Sequence, residues 1–387
     1  MKEKRIWSLR QLGTIVLFCL SALNASANDG VFFVNGSQLV PLQETAIRVA
    51  SEVLTINIGD DGYAGVTVDY EFYNAGAAKT VTMGFEAAAP YNDTATLSPQ
   101  GIHPYISNFT VTMNGMPLPF RNAVVASSYD RDSDFKPLDL NRWKTTEGQD
   151  FEQSNNLYDA AADSIIQFAY AYYFSADFKP GRNTVRHTYR YRMSYGVGRT
   201  FEIPYWLMPA MRWANHKIDD FTLRITAEGT AKHFCMADSL FRAAPFALKG
   251  NTGKCRTITH YDEQLIEATL RHDTLEWHTR NFRPTANLLI QSADIIYAFD
   301  EKAPLGSFYD RGPHYVVDWR SMNTARHTAW QRRILRNLPY AHRGYVFRDA
   351  RLRAYFNKLW WYMPDPKCQA TTADLTPQEQ KLIKENK

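Results

Sequence analysis

The sequence predicts a mainly β protein: an antiparallel β-sandwich followed by a small helical C-terminal domain. Up to about residue 300, apolar and polar residues alternate in many short runs, which is the period of a strand with one buried face. No helical pattern separates these runs, and many short strands joined by turns are typical of a sandwich. After residue 320 apolar residues recur every four positions, which is the spacing of one helix face.

The chain begins with the features of a secretory signal peptide. A basic start is followed by a mainly apolar run over residues 12–23 and by a small-residue cleavage site at Ala25-Ser26-Ala27. The alternative, a membrane anchor, would need about 20 apolar residues. We therefore predict a signal peptide over residues 1–27 and export to the periplasm or the extracellular space.

Residues 28–299 form the predicted sandwich domain. Two long alternating runs, 166–174 and 185–195, flank a turn at 179–183 and predict a long hairpin. Further strands are predicted at 31–40, 46–58, 66–73, 79–86, 104–113, 219–227, 264–271, 273–280 and 286–292. Polar residues 126–163 break the pattern, and we interpret them as an excursion from the sandwich with a helical turn near 157–162.

A predicted linker over 300–320, rich in Pro and Gly, leads into a helical domain over 321–387. In its first helix Trp330, Ile334 and Leu338 step by four, and Pro339 is expected to end the helix. The expected N-cap of the second helix is Asp349. A capping box, Thr376-Pro377-Gln378-Glu379, predicts a short last helix.

Three cysteines remain after removal of the signal peptide. Cys235 and Cys255 lie close in sequence in an exported, oxidised chain, so we predict a disulfide between them and leave Cys368 unpaired. No cysteine pair has the spacing of zinc ligands.

The C-terminal region also carries a motif. Tyr340-Ala341-His342-Arg343-Gly344 is followed by Tyr345-Val346-Phe347 and by Leu359-Trp360-Trp361-Tyr362-Met363-Pro364. This segment, about 330–387, resembles the YARHG domain, an extracytoplasmic bacterial module that has no assigned molecular function. The chain departs from the family in the order His342-Arg343 and in Pro339. Residues 31–291 are similar to an uncharacterised β-rich domain of exported bacterial proteins.

Charge is concentrated in the same region. Between Arg320 and Lys358 many residues are basic and Asp349 is the only acidic one. The predicted binding residues are Tyr340, His342, Arg343, Tyr345, Arg351, Arg353 and Lys358, with an anionic envelope polymer or another envelope protein as partner. Two alternatives stay open: the motif only builds the fold, or the arginines dock the domain onto acidic residues of the sandwich near 130–151.

Other polar patterns point to ordinary structure. Asp130, Asp132 and Asp134 match half of a calcium loop, but Phe135 and Asn141 occupy the positions of its Gly and Glu. We expect His272 and His278 to be ordinary strand residues. The row Arg186, Arg190 and Arg192 is expected to find cross-strand partners. No metal, cofactor, nucleic-acid partner or transmembrane span is predicted.

The functional prediction is an exported, non-catalytic module that binds to the cell envelope or has a structural role in it. The alternative is an envelope hydrolase of the peptidase type, because YARHG-like modules occur beside peptidases in some chains. The sequence contains neither His-Glu-x-x-His nor Gly-x-Ser-x-Gly, and we predict no catalytic residue.

Overall fold

The computed structural model describes residues 36–37, 39–41, 46–90, 97–127, 135–145, 156–159, 161–196, 199–260, 262–292 and 328–387. The predicted signal peptide, the linker 300–320 and the aspartates at 130, 132 and 134 lie outside the described residues. The predicted strand 31–40 is described only in part.

The described residues are mostly strand, with helices at the C-terminal end. In chain order the strands are β1 (Gly36–Ser37), β2 (Val40–Pro41), β3 (Ile47–Ile58), β4 (Tyr63–Asn74), β5 (Lys79–Ala88), β6 (Ile106–Met113), β7 (Met116–Pro117), β8 (Arg121–Ala126), β9 (Lys144–Thr145), β10 (Asn156–Asp159), β11 (Ser164–Phe178), β12 (Gly181–Arg192), β13 (Ser194–Gly196), β14 (Arg199–Trp206), β15 (Ile218–Ala227), β16 (Lys232–Ala237), β17 (Ala247–Lys249), β18 (Lys254–His260), β19 (Glu263–Leu270), β20 (Thr274–Phe282) and β21 (Leu288–Ser292). The helices are α1 (Ala329–His342), α2 (Ala350–Phe356) and α3 (Pro377–Glu385).

Within the described residues the strands pair into three sheets. Their orders are β17-β20-β15-β3-β4-β12-β6-β7, β1-β14-β21-β16-β19-β18 with β13 beside β14, and β2-β5-β11-β10-β9 with β8 beside β11. The pairs β15–β3 and β1–β14 are parallel, and the other pairs are antiparallel. The predicted mainly β fold with C-terminal helices is confirmed.

Period two in the sequence identifies strand faces correctly. In β4, Val66, Val68, Tyr70 and Phe72 are buried, while the residues between them point outward. Strand β3 shows how the phase can change: a register shift between Val49 and Ser51 marks a β-bulge, after which the even-numbered residues face inward. The bulge therefore places the carboxylate of Glu52 in the core, where it is completely buried.

The predicted hairpin of 166–174 with 185–195 is wrong. Both runs are strands, but β11 pairs with β5 and β8, whereas β12 pairs with β4 and β6 in another sheet. The inner faces of the two strands meet across the core, where Tyr172 and Tyr189 each stack on Phe85 at 5.1 Å between ring centroids. Alternation fixes which face of a strand is buried, but it does not choose the neighbour in the sheet.

The predicted disulfide is also wrong, because Cys235 and Cys255 are not bonded to each other. Cys235 in β16 lies opposite Glu267 of β19, and Cys255 in β18 lies opposite Ala268 on the other edge of β19. The two cysteines are thus two strands apart, about 10 Å, which is beyond the reach of a disulfide at about 7 Å. Consecutive residues of β19 also point to opposite faces of the sheet, so the thiols face away from each other.

The excursion of 126–163 contains strands where it is described. Strand β10 pairs with β9 and forms a hairpin with β11, in which Asp159 lies opposite Ser164. The expected helical turn near 157–162 is therefore strand up to Asp159, followed by a turn. Asp159 is buried and accepts hydrogen bonds from the backbone of that turn and from Arg142.

The C-terminal helices have a hydrophobic core of their own. It is formed by Ile334, Leu335, Leu338, Ala341, Phe347, Leu352, Phe356, Leu359, Trp361, Tyr362 and Leu382. Asp349 caps α2 and Thr376 forms the predicted capping box of α3. The sequence predicted that Pro339 ends α1. Instead, Pro339 lies inside α1. Burial of Leu338, Pro339 and Ala341 against this core keeps the last turn helical despite the missing backbone donor.

Candidate functional site

The YARHG motif forms the end of α1. Gly344 adopts a positive φ of 83°, its backbone N–H donates to the carbonyl of Ala341, and the N–H of Tyr345 donates to the carbonyl of Tyr340. These two bonds make a Schellman motif, in which glycine is favoured because it has no Cβ penalty in the left-handed region. The motif thus turns the chain sharply out of the helix.

A second constraint acts on Gly344 from the sandwich. A Cβ at this position would lie 2.6 Å from the carbonyl oxygen of Met363, and closer still to Nη1 of Arg271, the residue that follows β19. The guanidinium of Arg271 also donates to the Met363 carbonyl at 3.3 Å and lies 3.5 Å from the carboxylate of Asp365. Gly344 therefore leaves room for a side chain from outside the helical region.

Arg343 holds the helical region together. Its Nη1 donates to Oε1 of Glu379 at 2.8 Å and its Nη2 to Oε2 at 2.9 Å, with further bonds to the carbonyls of Pro339 and Asp374. Although burial opposes ionisation of Glu379, the bonds from Arg343 and from the α3 cap dominate and lower the pKa of this carboxyl. This predicted binding residue is engaged in tying α1 to α3.

The other aromatic and histidine members of the motif are partly buried. The hydroxyl of Tyr340 lies 3.2 Å from that of Thr372, and the carbonyl of Tyr345 accepts a hydrogen bond from the hydroxyl of Tyr362. The His342 ring packs on Trp361 at 5.0 Å between centroids. Burial lowers the pKa of His342 to about 4, so its imidazole is neutral near pH 7. These three residues contribute to packing in this structure.

The remaining predicted residues are exposed together. Arg351, Arg353 and Lys358 lie on or just after α2, and Arg348 precedes the α2 cap. The Arg351 guanidinium stacks over the Trp330 ring at 3.8 Å, and Arg353 donates to the carbonyl of Phe347 at 3.4 Å. Within the described residues none of these four cations forms an ion pair with a carboxylate. We call this group, Arg348, Arg351, Arg353 and Lys358, the basic face.

The helical region contacts the sandwich through cations of the sandwich, whereas the acidic residues of the docking alternative near 130–151, apart from Asp139, lie outside the described residues. The cations come from the sandwich: Lys254 and Arg256 of β18, and Arg271 after β19. They meet the segment that follows α2, around Trp360. In the part of the chain that the structure describes, the arginines of the basic face take no part in this contact. One weak signal was present in the sequence, the alternation of Lys254 and Arg256 on one strand face, but nothing in it identified their partner.

A cleft of about 590 Å³ lies at the turn between β3 and β4. Its wall contains Asp60, Asp61, Arg190 and Glu228. The bond from Arg190 lowers the pKa of Asp61; for Asp60, burial opposes ionisation, but bonds from Lys232 and Thr230 prevail and lower the pKa. These carboxylates therefore stay ionised and are held by neighbouring donors.

Arg186 has the expected cross-strand partner and His278 lies in a strand, but His272, expected in a strand, lies in the bend between β19 and β20. Arg186 pairs with Asp69 at 3.3 Å and Arg190 with Asp61 at 2.5 Å. His278 lies 2.9 Å from Asp220 on the neighbouring strand. In the ranges given above, no three His, Cys, Asp or Glu side chains are grouped so that they could hold a metal ion. Those ranges contain no helix with the length and apolar character needed to cross a membrane.

Comparisons with known proteins agree with the two resemblances. The family model described as YARHG domain matches residues 322–387, and the model described as Domain of unknown function (DUF4424) matches residues 27–245. Both predicted resemblances, to the YARHG domain and to an uncharacterised β-rich domain, are thereby confirmed. No curated protein matches the chain.

Solved structures show a likeness of fold. A "putative nutrient binding protein" from Legionella pneumophila is 18% identical with a TM-score of 0.53, and the match covers 93% of this chain and 100% of that one. An M1 zinc metallopeptidase from Deinococcus radiodurans is 13% identical over 63% of this chain and 42% of that one, with a TM-score of 0.26. Baculovirus P35 is 10% identical over 64% and 97%, with a TM-score of 0.24. The first likeness shows a similar fold, and the other two, with TM-scores below 0.5, do not.

Proposed function

The chain belongs to the DUF4424 family, whose model covers more than half of its residues, and from this premise we propose that it is an exported, non-catalytic binding protein of the cell envelope. Its ligand is an anionic envelope polymer, which the basic face contacts. Export is supported by the signal-peptide pattern of residues 1–27 and by the YARHG domain, a module typical of exported proteins.

The observation that carries the proposal is the uneven use of charge in the helical region. Three of its carboxylates already have cationic partners: Asp349 pairs with Arg333 at 2.6 Å, Glu379 with Arg343 at 2.8 Å, and Asp365 faces Arg271. The basic face is left exposed with no such partner among the described residues. Unpaired guanidinium groups on a packed helix suit the bidentate binding of carboxylate or phosphate groups.

The physical setting predicts weak and salt-dependent binding. Exposed charges interact through water, so each contact contributes little, and ions screen it over about 8 to 10 Å at physiological salt. A polymer that repeats its anionic group can engage several cations at once and so raise the overall affinity. The name of the Legionella pneumophila protein is in keeping with a binding role, but at 18% identity it supports the fold only. No specific observation favours the hydrolase alternative.

The test uses the full mature chain and purified cell-wall sacculi, whose carboxylates supply the anionic groups. The variant Arg351→Ser, Arg353→Ser, Lys358→Ser should lose at least about tenfold in binding at low salt, since it removes three exposed cations worth several tenths of a kcal/mol each. Binding of the parent should fall steeply between about 20 mM and about 300 mM salt.

A matched control removes three other exposed cations of the same region, Lys367→Ser, Lys384→Ser and Lys387→Ser. It lowers the net charge by the same amount and should keep most of the binding. Equal losses in both triple variants would mean that net charge, and not the basic face, attracts the polymer. Binding that is absent from the parent at low salt would exclude the proposed ligand.

A further inference from the structure

Three backbone carbonyls of the segment after α2 accept hydrogen bonds from side chains of the sandwich. Nζ of Lys254 donates to the carbonyl of Trp360 at 2.8 Å and to that of Tyr362 at 3.0 Å, and Nη1 of Arg271 donates to the carbonyl of Met363. A buried carbonyl requires a donor, and the donors here are two cationic side chains from another part of the fold. Converging carbonyl dipoles make a site of negative potential that suits an ammonium or guanidinium group.

The YARHG motif forms the other wall of this site. The backbone N–H of Asp365 donates to the carbonyl of Gly344 at 2.8 Å, which fixes the carbonyl-rich segment against the motif. Arg271 is inserted between them, in the space that a side chain at position 344 would occupy. It is 5% exposed, and a buried arginine is stable only when its charge and donors are paired, here by Asp365 and the Met363 carbonyl.

An aromatic contact completes the arrangement. The Arg256 guanidinium lies 4.1 Å from the centre of the Trp360 ring, and the Lys254 ammonium lies 5.7 Å from it. Burial, and then the neighbouring Arg256, lower the pKa of Lys254, which is the behaviour of an ammonium removed from water. Trp360 therefore contacts two cations: one lies over its ring, and the other donates a hydrogen bond to its carbonyl.

We infer that the YARHG glycine and the segment Trp360–Asp365 form a docking socket for basic side chains on a β-sheet, and that the sandwich of this same chain occupies it through Lys254, Arg256 and Arg271. The motif is then an element of recognition between two parts of the protein. The basic face stays exposed when the sandwich occupies the socket, because the basic face and the socket are formed by different residues. The partner chemistry is a lysine and an arginine presented from neighbouring strands, as β18 and the end of β19 present them.

Amide hydrogen exchange of the full chain, followed by mass spectrometry, tests the socket. The variant Lys254→Met, Arg271→Gln keeps an unbranched, somewhat shorter side chain at each position and removes both charges. Exchange of peptides that contain 343–347 and 358–366 should rise at least about tenfold, because hydrogen bonds from charged donors are stronger than neutral ones and two such donors are removed. Peptides from α1 and α3 should stay within about twofold of the parent, since these helices share a separate core.

The matched control is Lys249→Met, Arg224→Gln, which removes one lysine and one arginine that both pair with Glu276 on an exposed sheet face. It should leave the exchange of 343–347 and 358–366 unchanged. Unchanged exchange in the Lys254→Met, Arg271→Gln variant would overturn the inference. A uniform rise across all three helices would also overturn it, since the contacts would then maintain the fold of the region and not its docking.

A second pair of variants tests the role of Gly344 without relying on one substitution. Gly344→Ala places a Cβ against Arg271, and Arg271→Ala in the same chain removes the guanidinium from that space. The exchange rates of the double variant should rise by less than the product of the two single effects. Multiplicative effects would show that alanine at 344 does not act through Arg271 and would refute that contact as the reason for glycine.

Discussion

Replacing His187 by leucine should flatten the acid side of the stability profile. His187 lies on β12 in the middle of the core, is completely buried, and is flanked by the rings of Phe85, Phe109 and Tyr189. Neither ring nitrogen has a hydrogen-bond partner among the described residues. Burial alone lowers its pKa to about 3, so the folded protein holds this imidazole neutral.

The magnitude follows from proton linkage. In the unfolded chain the histidine titrates near a pKa of about 6.5. Between about pH 6.5 and about pH 3 the unfolded state binds the additional proton, so the free energy of unfolding decreases as the pH falls through that window. At pH 5 this one residue destabilises the native state by about 2 kcal/mol, and at pH 7 by only a few tenths. Leucine has no titrating group and removes the penalty.

Urea unfolding at pH 7 and at pH 5, monitored by tryptophan fluorescence, measures the effect. The variant should be at least as stable as the parent at pH 7, because it removes a buried polar ring that lacks partners. It should also lose about 2 kcal/mol less between the two pH values. The control His272→Leu changes an exposed histidine and should keep the parental dependence. Equal losses in the parent and in His187→Leu would refute the assignment of a neutral, unpartnered core histidine.

Three further predictions concern packing and covalent structure. Gly84→Ala should lower the free energy of unfolding in urea by about 2 kcal/mol, because the new Cβ would lie 2.7 Å from the backbone of β11. Gly65→Ala makes only ordinary contacts and should not lower it. Equal effects of the two variants would contradict this. Arg343→Met should cost about 3 kcal/mol by leaving Glu379 buried without its cation, and a loss below 1 kcal/mol would contradict a structural role for this arginine. Cys255 should react with maleimide in denaturant without reductant, and a requirement for reductant would contradict the sheet register.

Much of the fold could be predicted from interactions between residues that are close in sequence. Alternation identified β4 and the faces of β11 and β12, since a strand with one buried face must repeat every two residues. Asp349 and Thr376 marked helix starts, because their side chains satisfy backbone N–H groups within three residues. These interactions are short in sequence and therefore visible in it.

Partners that are distant in sequence were decided by the tertiary structure. The pattern of β11 and β12 allowed a hairpin, yet the core placed them in different sheets. Proximity in sequence favoured a bond between Cys235 and Cys255, yet β19 separates them. In each case the type of element was predictable from local residues, and the choice of neighbour depended on how three sheets bury their apolar faces together.

The candidate site divides in the same way. The sequence alone shows the YARHG motif through its resemblance to that family. Helix-end geometry and helical periodicity predict the glycine that ends α1 and the outward position of Arg351, Arg353 and Lys358. Only the tertiary structure shows that Arg343 is bound to Glu379 and that Arg271 fills the space beside Gly344. The physical reason is that the sequence does not show whether a charged side chain faces water or a buried carbonyl. The environment of that side chain depends on which residues the fold packs against it.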